Sequence, residues 1–179
     1  GTYNGGMYTF DPSARSLEPF VPGAGFDSRE SVFVIASDRS DNLWIGTSRG
    51  LYRLDASGDL RSTKCFTHRN SHLPQGNIYE IFFDSTDRGW ICTETGLAIW
   101  DGSMIRTDGF PQGFVNKQKI RDIFEDRNHN LYFLPDRGDI CRSNLQLTEF
   151  APLQGISAAT NRAATFISED ADGMLWIGS

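Results

Sequence analysis

The chain has 179 residues, 39% of them hydrophobic, 12% aromatic and 22% charged, with a net charge of -6 at pH 7. That balance suits a globular domain able to bury a core, and it argues against a general nucleic-acid binder, which would carry a basic face. No apolar stretch approaches the roughly 18 residues of a membrane-spanning helix.

In chain order, residues 1–31 carry the apolar run Gly6-Met7-Tyr8-Thr9-Phe10, closed by Asp11. Residues 32–77 bring an apolar run around Ile35, the acidic turn Asp38-Arg39-Ser40-Asp41 and the aromatic run Asn42-Leu43-Trp44-Ile45-Gly46-Thr47. The Gly50 turn, the run Leu51-Tyr52-Arg53-Leu54 and a poorer run within Leu60 to Thr67 complete that unit. Residues 78–119 repeat the order with Ile81, Asp84-Ser85-Thr86-Asp87, Arg88-Gly89-Trp90-Ile91-Cys92-Thr93, Gly96 and Leu97-Ala98-Ile99-Trp100. Residues 120–163 do so with Ile123, Asp126, Asn130-Leu131-Tyr132-Phe133-Leu134-Pro135 and Gly138. Residues 164–179 stop after Ile167, Asp170 and Gly173-Met174-Leu175-Trp176-Ile177-Gly178-Ser179.

The ring column Trp44, Trp90, Tyr132, Trp176 steps by 46, 42 and 44 residues, a period that marks a repeat architecture. Short runs rich in Ile, Val, Phe, Tyr and Trp, bounded by Asp, Asn, Gly and Ser, are strand and turn signals. No helical periodicity of any length competes with them. Four antiparallel strands in about 44 residues make one propeller blade. The expectation is an all-β β-propeller of four-stranded antiparallel blades, about four of them, with 1–31 an outer half-blade and 164–179 an inner half-blade. Trp44, Trp90, Tyr132 and Trp176 are expected at equivalent buried sites between blades.

This pattern of an Asp turn, Leu-Trp-Ile-Gly-Thr and Gly-Leu-Tyr-x-x-Asp resembles the two-component regulator propeller repeat. Asp38 to Asp55 carries the resemblance best and Asp84 to Asp101 well, whereas Leu134-Pro135 and Asp139 depart from it. The resemblance implies the periplasmic sensor region of a hybrid two-component histidine kinase of the Bacteroidota type, built on seven blades, or roughly 300 residues. It therefore implies a segment of a larger propeller, non-enzymatic in itself and part of a membrane-anchored sensor, with a possible homodimer. The ends share one phase of the repeat, so a closed four-bladed ring would set Gly6 to Phe10 beside Leu175 to Gly178. The segment reading sets them apart.

Cys65, Cys92 and Cys141 lack metal spacing and are expected as buried free thiols. The acidic turns lack the oxygen alternation of a calcium loop, and capping of turn backbone is expected instead. His68, His72 and His129 have no nucleophile at a recognisable spacing, and no catalytic residue, metal site or cofactor is assigned. Loops between blades and between second and third strands open on one face of a propeller, where recognition tends to reside. Tyr3, Asn4, Arg49, His68, Arg69, His72, Glu94, Lys117, Asp136 and Arg137 are the candidate ligand-binding residues there. Their chemistry suits an oligosaccharide, with the basic members, and Lys64, Lys119 and Arg121 beside them, pairing with carboxylate or sulfate. A protein-interaction scaffold is the alternative reading, and a propeller lyase or hydrolase a third.

Overall fold

The computed structural model describes residues 1–23, 25–110, 118–154 and 164–178. Three complete blades dominate them, each a four-stranded antiparallel meander. Blade I holds β3 (Val32–Ser37), β4 (Leu43–Thr47), β5 (Leu51–Leu54) and β6 (Lys64–Phe66). Blade II holds β7 (Ile78–Phe83), β8 (Gly89–Thr93), β9 (Leu97–Trp100) and β10 (Ile105–Arg106). Blade III holds β11 (Ile120–Glu125), β12 (Asn130–Pro135), β13 (Cys141–Asn144) and β14 (Phe150–Pro152). They are flanked by two hairpins, β1 (Met7–Asp11) with β2 (Ser16–Phe20), and β15 (Phe166–Glu169) with β16 (Leu175–Gly178). The one helical turn among the described residues is a short 3₁₀ turn, Leu60–Ser62.

The repeated Asp explains why each first hairpin turns where it does. Asp38 Oδ1 accepts the backbone N–H groups of Ser40 and Asn42 at 3.0 and 2.9 Å, and Oδ2 accepts the indole N–H of Trp44 at 2.9 Å. Asp84 with Trp90, Asp126 with Tyr132 and Asp170 with Trp176 repeat the last bond at 3.0, 3.0 and 2.7 Å. The acidic turns thus cap backbone, as expected, and also satisfy the one polar atom of each ring, which in Trp44, Trp90 and Tyr132 is buried.

Second strands are the most buried, and apolar side chains fill the seams between sheets rather than a central core. Trp44, Leu51, Ile78, Ile91 and Trp100 fill the seam of blades I and II. Trp90, Cys92, Leu97, Ile120, Leu131 and Phe133 fill that of blades II and III. Met7, Phe26, Ile45 and Tyr52 join the first hairpin to blade I, while Tyr132, Leu134, Ala164 and Ile167 join blade III to the last hairpin. Gly46 is small by necessity, because a Cβ there would lie 2.5 Å from Val34 Cγ1 and 2.7 Å from Ile78 Cγ2.

Three expectations need correction. Trp44 and Trp90 are fully buried and Tyr132 nearly so, but Trp176 is 61% exposed, because no further sheet packs over β16 among the described residues. The hairpins β1–β2 and β15–β16 form separate sheets, so Gly6 to Phe10 is not paired with Leu175 to Gly178, the arrangement set by the segment reading rather than by its closed-ring alternative. In blade III, Leu131 pairs with Ser143 where the repeat of blades I and II would give Arg142. One extra residue is therefore looped out, and Gly138, at φ +96°, serves that longer loop rather than standing where Gly50 and Gly96 do. Cys92 and Cys141 are buried free thiols, but Cys65 is only half-buried, since the outermost strand β6 leaves one side open.

Candidate functional site

Loops leaving second strands are tied to the entry of first strands by one recurring bond. The amides of Ser48, Glu94 and Asp136 donate to the carbonyls of Ser31, Asn77 and Lys119 at 3.0, 2.9 and 2.8 Å. Immediately beyond, each first strand bulges at the same place, between Val32 and Val34, Ile78 and Glu80, and Ile120 and Asp122. A bulge leaves one residue out of the ladder and re-aims its side chain. Phe33, Tyr79 and Arg121 are the residues so released, at the end of the blades where these loops gather.

There they form a strip across three blades. The Phe33 and Tyr79 ring centroids are 5.2 Å apart, and Lys119 Nζ lies 3.7 Å from the Tyr79 centroid. Asn77 Nδ2 donates to the Tyr79 hydroxyl at 2.9 Å, and Arg121 Nη2 is 2.5 Å from Asp136 Oδ1.

A hollow of about 420 Å3 opens on the same end, lined by Gly25, Arg49, Tyr52, Cys65, Thr67, His68 and Arg69. The β6–β7 loop is fixed locally: Asn70 Oδ1 accepts the Thr67 amide at 2.7 Å and Asn70 Nδ2 donates to the Cys65 carbonyl at 2.9 Å. His68 and Arg69 are thereby held at the rim. Behind the wall lies Glu30, whose Oε1 accepts the Tyr52 hydroxyl at 3.1 Å and is 3.5 Å from Arg49 Nε. Its Oε2 is buried and finds no hydrogen-bond partner among the described residues. Burial raises the Glu30 carboxyl, with the Tyr52 bond and the Arg49 charge only partly opposing it. A smaller adjoining hollow of about 170 Å3 shares Arg49, Thr67 and His68 and reaches Ser48 and Gly76. Gly76 precedes Asn77, and Ser48 bonds Ser31, so the hollows run toward the strip along two chain connections.

Of the expected ligand-binding residues, Arg49, His68 and Arg69 come together here, and Asp136 belongs to the strip. Asn4 is tied to the same corner: its amide donates to Ser31 Oγ at 3.0 Å and its Oδ1 accepts the Ser31 hydroxyl at 2.9 Å. Tyr3 is 80% exposed, and Glu94 and Arg137 are exposed on their loops. His72 stands elsewhere, in a hollow with Met104, Arg106, Thr107 and Asp108. Lys117 lies outside the described residues. Sequence reasoning missed Glu30, Phe33, Tyr79 and Tyr52, since the strip depends on a bulge register that no single residue type announces.

The opposite end also has a hollow, of about 620 Å3, walled by the acidic turns with Arg39, Ser85, Glu125, Arg127, His129 and Glu169. Ser85 Oγ and Glu125 Oε1 lie 3.1 and 2.6 Å from the same His129 nitrogen, Nδ1. A nucleophilic relay needs the hydroxyl on one ring nitrogen and the carboxylate on the other, and this arrangement does not supply it.

No family model matches the chain, and no curated protein does. Solved structures match it in fold. An extracellular domain assigned to the hybrid two component system BT3049 from B. thetaiotaomicron superimposes with a TM-score of 0.77 at 22% identity, over 99% of this chain and 23% of that one. One assigned to the one component system BT4673 of the same organism gives 0.76 at 18% identity, over 99% and 23%. Virginiamycin B lyase from Staphylococcus aureus gives 0.69 at 14% identity, over 97% and 56%. The chain thus spans about a quarter of the two B. thetaiotaomicron structures, and the shared property is the propeller fold.

Proposed function

We propose that the chain is a non-enzymatic sensory stretch of a larger propeller, in the periplasmic region of a membrane-anchored hybrid two-component sensor, and that it recognises a glycan-derived oligosaccharide. The observation that carries this reading is the grouping of Arg49, His68 and Arg69 around one hollow, beside an aromatic and charged strip that crosses three blades. Guanidinium, imidazole, phenol and carboxylate groups around a shallow hollow suit a polyhydroxylated ligand, and several blades contacted at once would let such a ligand bias how they sit together. The repeat resemblance and the fold shared with extracellular domains of two-component systems support the same assignment.

Calorimetry of the full extracellular region against a panel of oligosaccharides tests it. Replacing Arg49, His68 and Arg69 together by Ala is expected to weaken binding at least tenfold, about the loss of one charge-assisted hydrogen bond. Unchanged affinity would remove the hollow from the site. A protein-interaction scaffold is the second reading, and the exposed cross-strand pair Phe10 and Leu17 on β1–β2 favours it. Absence of binding to any saccharide would transfer the assignment to that face.

A further inference from the structure

The strip made by the three bulges has a polarity that the hollow beside it lacks. Phe33 and Tyr79 offer half-buried ring surface in contact with each other, and Arg121 and Asp136 form a partly exposed ion pair at its far end. Between them Lys119 places its ammonium over the Tyr79 ring. Lys119 is half-buried and pairs with no carboxylate among the described residues, whereas Asp136 is already engaged by Arg121. Other acids near these strands include Glu94, on the loop beside Gly76, Asp139, on the loop with Asp136, Glu30, held by Tyr52 and Arg49, and Glu80 and Asp122, inside the blade seams.

From this geometry we infer that the strip is a subsite for one acidic sugar unit of a linear oligosaccharide, with Lys119 as the residue that selects for its carboxylate. The inference rests on the saccharide reading above and deepens it. Each part follows from a chemical property. The apolar face of a pyranose packs on an aromatic face, which Phe33 and Tyr79 supply. A guanidinium beside a carboxylate presents donors and acceptors side by side, matching neighbouring hydroxyls of one ring. An ammonium held by a ring quadrupole has lost part of its hydration but has gained no counter-ion, so an arriving carboxylate gains a charge-assisted bond without breaking an ion pair. The bulges place Phe33, Tyr79 and Arg121 on first strands rather than on loop tips, with Lys119 at the entry to β11 and Asp136 at the exit from β12. The connections through Asn77 to Gly76 and through Ser31 to Ser48 let the remaining units run into the hollow around Arg49 and His68.

The test uses the full extracellular region, with calorimetry against two oligosaccharides of one backbone, one bearing a uronic acid and one neutral. Wild type is expected to prefer the acidic member about tenfold at low salt, with that preference shrinking as salt rises. Lys119→Met is expected to abolish the preference while keeping affinity for the neutral member, and Lys119→Arg to retain most of it. Tyr79→Ala is expected to weaken both members, and Tyr79→Phe, which keeps the ring and loses only the Asn77 bond, to weaken neither by more than about twofold. Thermal midpoints equal to wild type establish that the variants fold. A preference unchanged in Lys119→Met, or equal losses for both members, overturns the role of Lys119. Unchanged binding in a folded Tyr79→Ala removes the strip from the site while leaving the saccharide reading intact. Binding of neither member by wild type, when other saccharides of the panel bind, overturns this inference alone, and failure of the whole panel overturns the saccharide reading with it.

Discussion

Trp90 and Trp176 hold the same place in the repeat and donate to equivalent carboxylates, yet one is fully buried and the other 61% exposed. Trp90→Ala should cost on the order of 3 to 5 kcal/mol, as other large-to-small core changes do. Trp176→Ala in this polypeptide should stay within about 0.5 kcal/mol, as at other exposed positions, with urea denaturation giving both values. The carboxylates that hold these rings behave differently from those in the seams. Burial pushes Asp38, Asp84 and Asp126 upward, but hydrogen bonds from turn amides, neighbouring side chains and the rings outweigh it and hold all three below the usual range. Their contribution is present above the unfolded value of 3.8 and is lost as pH falls through the lower folded values. Glu80 has the opposite sign: burial, reinforced by the Asp122 charge, pushes its carboxyl up to about 7 from 4.5. A raised carboxyl contributes stability fully below 4.5 and loses it as pH rises through about 7. The thermal midpoint should therefore decline between those two pH values, and Glu80→Gln should flatten the decline. A wild-type midpoint constant over that range would refute this assignment.

The hairpin turn between first and second strands does more than reverse the chain. The amides of Arg39, Ser85 and Arg127 donate across each seam to Asp87, Glu125 and Glu169, at 2.9, 2.6 and 2.9 Å. The first hairpin turn of each complete blade is therefore pinned to the next sheet by a carboxylate. Glu125→Ala removes the acceptor of the Ser85 amide and the partner of His129 together, and should cost about 1 to 3 kcal/mol. Glu125→Gln, which keeps an acceptor, should recover part of that loss in the same denaturation experiment. This latch shows where sequence reading stops. The column of Asp38, Asp84, Asp126 and Asp170 and the ring six residues later are visible because every repeat spends the same residue type on the same bond. The latch is hidden because Glu125 and Glu169 precede the turn Asp while Asp87 follows its own, so one geometric role is filled from two sequence positions. The strip is hidden for a related reason: Phe33, Tyr79 and Arg121 share a place but not a chemistry, and only the strand register reveals that each is bulged out. Loop residues such as Arg49, His68 and Arg69 were legible as a group because the fold gathers whole classes of loop on one end, whichever residues they carry.

At the scale of the molecule, stability is distributed over seams, so each sheet depends on its neighbours. The sheets at the two ends of the array have one neighbour each. Phe166, Met174 and Trp176 are exposed on the last hairpin, and Tyr8, Phe10, Leu17 and Val21 on or beside the first. The free edges are also complementary in phase. In blade I, Gly46 pairs with Leu51 and Leu43 with Leu54, and the same register would set Gly178 against Met7 and Leu175 against Phe10. Since these strands do not meet within one copy, strand addition between copies would satisfy both the unpaired edge groups and the uncovered rings, the general hazard of an open sheet edge. The isolated 179-residue polypeptide should therefore self-associate with rising concentration in sedimentation velocity. Combining Phe10→Lys with Trp176→Lys should shift it toward monomer without lowering its thermal midpoint, because both side chains are mostly exposed in the single copy. A monodisperse wild-type monomer at every concentration would show that the edges are protected by some other means. A double variant that associates as strongly as wild type would place the contact on another face.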